Sequence, residues 1–232
     1  MSAHRFSIGE ALSFGWETVK SNIGFFIGLL IVAFLIENIP SMISQFFQSD
    51  YPFISALFAL ASAILGMVVQ MGLIKVSLQF CDGTKSKLDD LLATFKLVGN
   101  MFVASILYVL IVCAGFLLLI VPGVIWFYKY SLFAHFIVDK GLGPIAALKE
   151  SGVATQDAKW DIFIFQWVLF FINVAGALAL FVGLFVTVPL SLLAYTYIYR
   201  TLSGGTTGTV QSSVANGSAG KGQGVMYVNL GY

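Results

Sequence analysis

Every second gap between the apolar stretches of this chain is free of lysine and arginine, and that alternation constrains the fold more than any motif does. Apolar stretches fall at about residues 23–39, 54–78, 101–121 and 124–138, and residues 161–199 form a longer one that is nearly uncharged. One crossing of a bilayer takes about 20 helical residues, so 161–199 is long enough for two crossings joined by a turn. Arg5 and Lys20 precede the first stretch, and Lys75, Lys85, Lys87 and Lys96 surround the second connection. Lys140, Lys149 and Lys159 fill the fourth connection, and Arg200 and Lys221 follow the sixth stretch. The first, third and fifth connections carry no basic residue. Basic loops stay on the cytoplasmic side of a membrane. The pattern predicts six transmembrane helices with both termini cytoplasmic.

Composition points the same way. Of 232 residues, 59% are hydrophobic and 10% charged, against about 25% charged in an average soluble chain. That leaves too little polar surface to cover a soluble globule. The first 22 residues contain Glu10, Glu17 and Lys20 and do not read as a cleavable leader. Cys81 and Cys113 lie far apart in sequence, and the threading puts Cys81 on the cytoplasmic side, so no disulfide is expected.

Three segments have amphipathic character. In 7–20, Ile8, Leu12, Gly15 and Val19 share a helical face beside Trp16, and Ser7 with Glu10 fits a capping box. Such a helix lies in the membrane interface, or is the entry turn of the first span. Around 86–96, Leu88, Leu91, Leu92 and Phe95 oppose Asp89, Asp90 and Lys96. The third segment, 143–159, opens on Pro144. Each precedes a pair of apolar stretches, which suggests a pseudo-threefold repeat of helical hairpins. Val121-Pro122 and Val188-Pro189 recur in the second and third units. Fold class is therefore all-α: a polytopic integral membrane protein over 1–202 with six transmembrane and three interfacial helices. Residues 203–232 are Gly/Ser-rich and read as a disordered cytoplasmic tail.

The segment around Pro122 and Gly123, then Lys129, Tyr130 and Ser131, leads to Asp139, Lys140, Gly141, Leu142 and Gly143 and on to A-A-L-K-E-S at 146–151. With Pro189 and the Y-x-Y-x-Y-R ending at Arg200, it resembles the uncharacterised YciC-like bacterial membrane proteins. It also resembles the membrane domain fused to some glycerophosphoryl diester phosphodiesterases. The resemblance covers about residues 7–202. It implies a six-helix protein of the bacterial inner membrane and no established activity. The chain has no H-R-G segment, so phosphodiesterase activity does not carry over.

Lys129 is the one basic residue that the loop pattern leaves inside a span, among Trp126, Tyr128 and Tyr130. A cation there snorkels to the interface, bonds to backbone carbonyls, or meets a ligand or lipid phosphate. His135 and Asp139 share a helix face at a spacing of four; two such groups do not make a metal site. Asp82-Gly83 with Asp89-Asp90 only faintly suggests a phosphate loop. No nucleophile elbow, Walker loop or dinucleotide fingerprint occurs, and no basic patch suits nucleic acid. The expectation is a non-enzymatic protein with no cofactor or metal, with membrane lipids as partners and self-association left open. Its candidate ligand or lipid contacts are Trp126, Lys129, Tyr130 and His135. The alternative is a small solute or lipid transporter with a site near the Pro-broken fourth and sixth spans.

Overall fold

The computed structural model describes residues 6–47, 51–84, 86, 94–179 and 182–204. Arg5, Lys85, Lys87 to Leu92, Lys221 and the tail from residue 205 lie outside the described residues, so the second amphipathic segment is seen only at its end. The described chain is helical, with no strand among the described residues: α1 Ile8–Ser21, α2 Ile23–Phe46, α3 Pro52–Cys81, α4 Val98–Leu118, α5 Ile120–Lys129, α6 Phe133–Lys140, α7 Pro144–Ala154, α8 Lys159–Leu178 and α9 Leu184–Leu202. A short 3₁₀ turn, Phe95–Leu97, leads into α4.

Among the described residues, five segments are long and apolar enough to cross a membrane: Ile23–Gln45, Phe53–Cys81, Phe95–Leu118, Ile120–Lys140 and Lys159–Leu178. Their surfaces need such a solvent. Leu117 to Val121, five consecutive apolar residues, are each at least 67% exposed, and each would forfeit about 1.5–3 kcal/mol of burial energy in water. α9 is not among the five. Thr187, Ser191, Thr196 and Arg200 dilute its apolar character, because protein rather than lipid surrounds it. Pro189, Leu190, Leu193, Ala194 and Thr196 to Tyr199 are all buried. One apolar cluster joins α9 to α1, α2, α3 and α8 through Phe26, Phe165 and Leu193. A second joins it to α3, α4, α6 and α7 through Met71, Phe136 and Tyr199. α3 and α9 are the wall between the two.

The first amphipathic segment is a helix, and Ser7 caps it by accepting from the Glu10 N–H at 3.3 Å. Its apolar face meets protein instead of lipid. Ala11, Phe14, Gly15 and Val19 are buried, the Phe14 ring lies 5.3 Å from that of Tyr197, and a Cβ on Gly15 would stand 2.8 Å from the Leu190 carbonyl.

The first apolar stretch, expected from sequence to end at residue 39 before Pro40, does not end there: α2 continues through the proline to Phe46. Proline deletes one backbone bond, and membrane helices tolerate this where neighbours re-satisfy the freed groups. The bond that Pro40 cannot make is the one to the Ile36 carbonyl. One residue on, Ser62 of α3 donates to the Glu37 carbonyl at 3.0 Å. A turn further, Ser44 of α2 donates to the Ser55 carbonyl of α3 at 2.9 Å, so the two helices are tied together on either side of the proline. The third connection turns at Leu119, in extended backbone (φ −167°, ψ 154°), not at Pro122-Gly123. Pro122 occupies the first turn of α5, where no N–H bond is lost. Gly123 then packs on Gly115, where a Cβ would come within 2.8 Å of its Cα. Gly176 and Gly183 close the α8–α9 hairpin in the same manner, as a Cβ on Gly183 would stand 2.5 Å from the Gly176 carbonyl. Pro189 lies inside α9, so the two Val-Pro pairs occupy different structural positions.

Candidate functional site

The fourth apolar stretch is not one helix. α5 ends at Lys129, and the chain turns through Tyr130, Ser131 and Leu132 before α6 begins. α7 fills the break. Ser151 Oγ donates to the Lys129 carbonyl at 3.1 Å and accepts from the Leu132 N–H at 3.1 Å. Thr155 Oγ1 donates to the same Lys129 carbonyl at 2.7 Å. The third amphipathic segment thus splints a discontinuous helix, with Ala147, Leu148, Ser151 and Gly152 buried.

Above that break a cavity of about 710 Å³ opens between α3, α4, α5, α6, α8 and α9. Its lining is mostly apolar but includes Gln70, Ser105, His135, Gln166, Asn173 and Ser191. Gln70, Tyr108 and Ser191 lie near the middles of their helices, so the polar groups gather at mid-span depth. Gln70, Val109 and Phe127 are the exposed members and mark the mouth. Asn173 Nδ2 donates to Ser191 Oγ at 2.8 Å and to the Leu169 carbonyl at 2.8 Å. Tyr108 donates to the Phe127 carbonyl at 3.0 Å. Asn173 Oδ1 and His135 Nδ1 are buried without a partner among the described residues.

Of the four candidate contacts Trp126, Lys129, Tyr130 and His135, His135 alone lines this cavity. Its Nε2 lies 3.3 Å from Thr196 Oγ1, and its ring sits between those of Tyr195 and Tyr199, at 5.4 and 5.2 Å. Trp126 packs against Gly115 in the α4–α5 hairpin, where a Cβ would approach its ring to 2.9 Å. Lys129 runs beside α7, its Cε 3.2 Å from where a Gly152 Cβ would be, and its Nζ lies 5.3 Å from the centre of the Tyr130 ring. Glu37 faces Gly66 of α3 instead of Lys129.

Asp139 bonds to Arg200 and Tyr199, not to His135, with which it shares a helix face. It belongs to a charged clamp below the cavity. Arg200 Nη1 meets Asp139 Oδ2 at 2.8 Å and Nη2 meets Asp82 Oδ2 at 2.6 Å, while the Tyr199 hydroxyl donates to Asp139 at 2.6 Å. The clamp joins the C-terminal ends of α3, α6 and α9. Asp82, weighed as part of a phosphate loop, is thereby engaged by a cation, and Asp89 and Asp90 lie outside the described residues. Among the described residues no three His, Cys, Asp or Glu side chains could hold a metal ion. Cys81 is buried, Cys113 is exposed, and both are free thiols.

No protein-family model matches the chain, and no solved structure matches it. It is 30% identical over 149 residues to the uncharacterized protein Rv2560 of Mycobacterium tuberculosis strain H37Rv, the match covering 62% of this chain and 44% of that protein. The uncharacterized protein Mb2590 of Mycobacterium bovis matches with the same identity and coverage. The chain spans less than half the length of these curated relatives.

Proposed function

We propose that this chain is a non-enzymatic six-span protein of the bacterial inner membrane, with both termini cytoplasmic, that holds a membrane amphiphile in its mid-span cavity. α9 is the sixth span in this reading, sheathed by the others. The observation that carries the proposal is the 710 Å³ cavity, mostly apolar with polar groups converging at mid-span. Such a lining suits a molecule with a long apolar body and a polar head. The hairpin units, with their amphipathic leads, supply the walls of that cavity rather than three equivalent sites.

Native mass spectrometry of the purified chain in mild detergent tests this. One retained lipid-mass adduct is expected, and Val109→Trp at the mouth, combined with Ser105→Phe inside, should abolish it while the fold persists by circular dichroism. An adduct unchanged by both substitutions would remove the cavity as the site.

A transport reading has its own support. The cavity lies between the broken fourth span and the proline-bearing α9, and discontinuous helices beside a midplane site are a recurring transporter feature. Flux of a lipid or solute across proteoliposomes, lost in Val109→Trp, would favour it over simple retention.

A further inference from the structure

We infer that the cavity selects an amphiphile whose head is polar but uncharged, offering hydroxyl or carbonyl groups. This deepens the amphiphile-binding reading and rests on it. No Asp, Glu, Lys or Arg lines the cavity among the described residues. The charges that flank the lining on α5 and α6 are committed elsewhere: Asp139 to Arg200 and Tyr199, and Lys129 alongside Tyr130 and Gly152. An ionised phosphate entering this lining would lose hydration without gaining a counter-charge, which a low-dielectric site penalises heavily. A neutral head incurs no such cost.

The polar side chains present are those that recognise neutral groups. Gln70 and Ser105, at the mouth and on the wall, make no hydrogen bond with other described residues, so an amide and a hydroxyl are available to a ligand. Deeper in, His135 Nδ1 and Asn173 Oδ1 are buried without a partner among the described residues. A bound hydroxyl can donate to the Asn173 oxygen, and a hydroxyl or carbonyl can accept from His135 when Nδ1 carries the proton. The mouth is bounded by exposed Val109 and Phe127, which suits lateral entry of an acyl chain from lipid. Diacylglycerol has the required chemistry: ester carbonyls, one hydroxyl and no charge.

The experiment uses the full chain reconstituted in vesicles that carry, at equal mole fraction, either diacylglycerol or phosphatidylglycerol with a diazirine on the acyl chain. After photolysis, mass spectrometry maps the labelled peptides. The expected result is labelling of lining peptides of α4 and α9 by the neutral probe, at least about tenfold above the anionic one, equivalent to 1.4 kcal/mol. Val109→Trp should suppress that labelling. Val109→Lys, at the exposed mouth, should move the preference toward phosphatidylglycerol. Equal or greater labelling of the lining by phosphatidylglycerol overturns the selectivity and leaves the cavity a lipid site. Labelling confined to the outer face around Phe170 and Phe171 overturns both.

Discussion

Arg200 shows how far a residue's role can lie from its neighbours in sequence. To the loop pattern it is one more cation at the end of a span. In the structure it holds two carboxylates, one 118 and one 61 residues away. Arg200 and Asp139 keep side-chain exposures of only 12% and 14%, whereas Asp82 keeps 36%. The partners therefore differ in what their loss would cost. Arg200→Met strands Asp139 in a mostly dry position and should destabilise by about 3 kcal/mol, whereas Asp82→Asn should cost less than about 1 kcal/mol. Thermal unfolding in detergent would rank them, and equal losses would mean that the clamp does not depend on burial. The sequence contained each member of this cluster, but nothing local paired them. His135 was legible as an anomaly, an ionisable group within an apolar run. The cavity it lines was not, because Gln70, Ser105 and Asn173 are single polar residues on three helices that only packing brings together.

At the scale of elements, hydrophobic length located the helices well, and their interruptions poorly. Pro40 announces a break that does not happen, in a stretch of α2 tied to α3 by serine hydroxyls on either side. The break after Lys129 has no glycine or proline to announce it, and its stabilising partners, Ser151 and Thr155, come more than 20 residues later. The amphipathic stripes read as interfacial helices, but periodicity cannot say whether lipid or protein covers an apolar face. For α1 and α7 protein does. If the splint matters, Ser151→Ala should cost about 1 kcal/mol, and Ser151→Ala with Thr155→Val about twice that, since both leave backbone groups at the break unpaired. Hydrogen exchange at Leu132 should quicken in the double variant. Unchanged exchange would show that the break is held by packing alone.

For the molecule as a whole, the expected threading puts the ends of α3, α6 and α9 and the start of α2 on one side of the membrane. The clamp gathers the ends of α3, α6 and α9, and the Phe26–Phe80 ring contact at 5.0 Å brings the start of α2 to the same end. The Ser44–Ser55 contact and the Leu119 turn belong to helix ends of the opposite kind. Single-cysteine reporters on a Cys81→Ser, Cys113→Ser background test the threading. A membrane-impermeant maleimide applied to intact cells should label Leu118→Cys and not Lys149→Cys, with Lys149→Cys reacting once the membrane is opened. Labelling of both from outside would show that Ile120–Lys140 does not cross and would refute the six-span threading.

The central place of α9 has a consequence for how the protein is made. Ribosomal synthesis delivers α9 after α1 to α8, although it is the helix that α1 packs against and that both apolar clusters share. The earlier hairpins must enter the bilayer with their inner faces unmatched, and α1 waits for a partner almost the full length of the chain behind it. Insertion and folding are thus separated in time. The bundle closes around its least lipid-like helix last, and any stall before Leu184 leaves a set of inserted helices with no common wall.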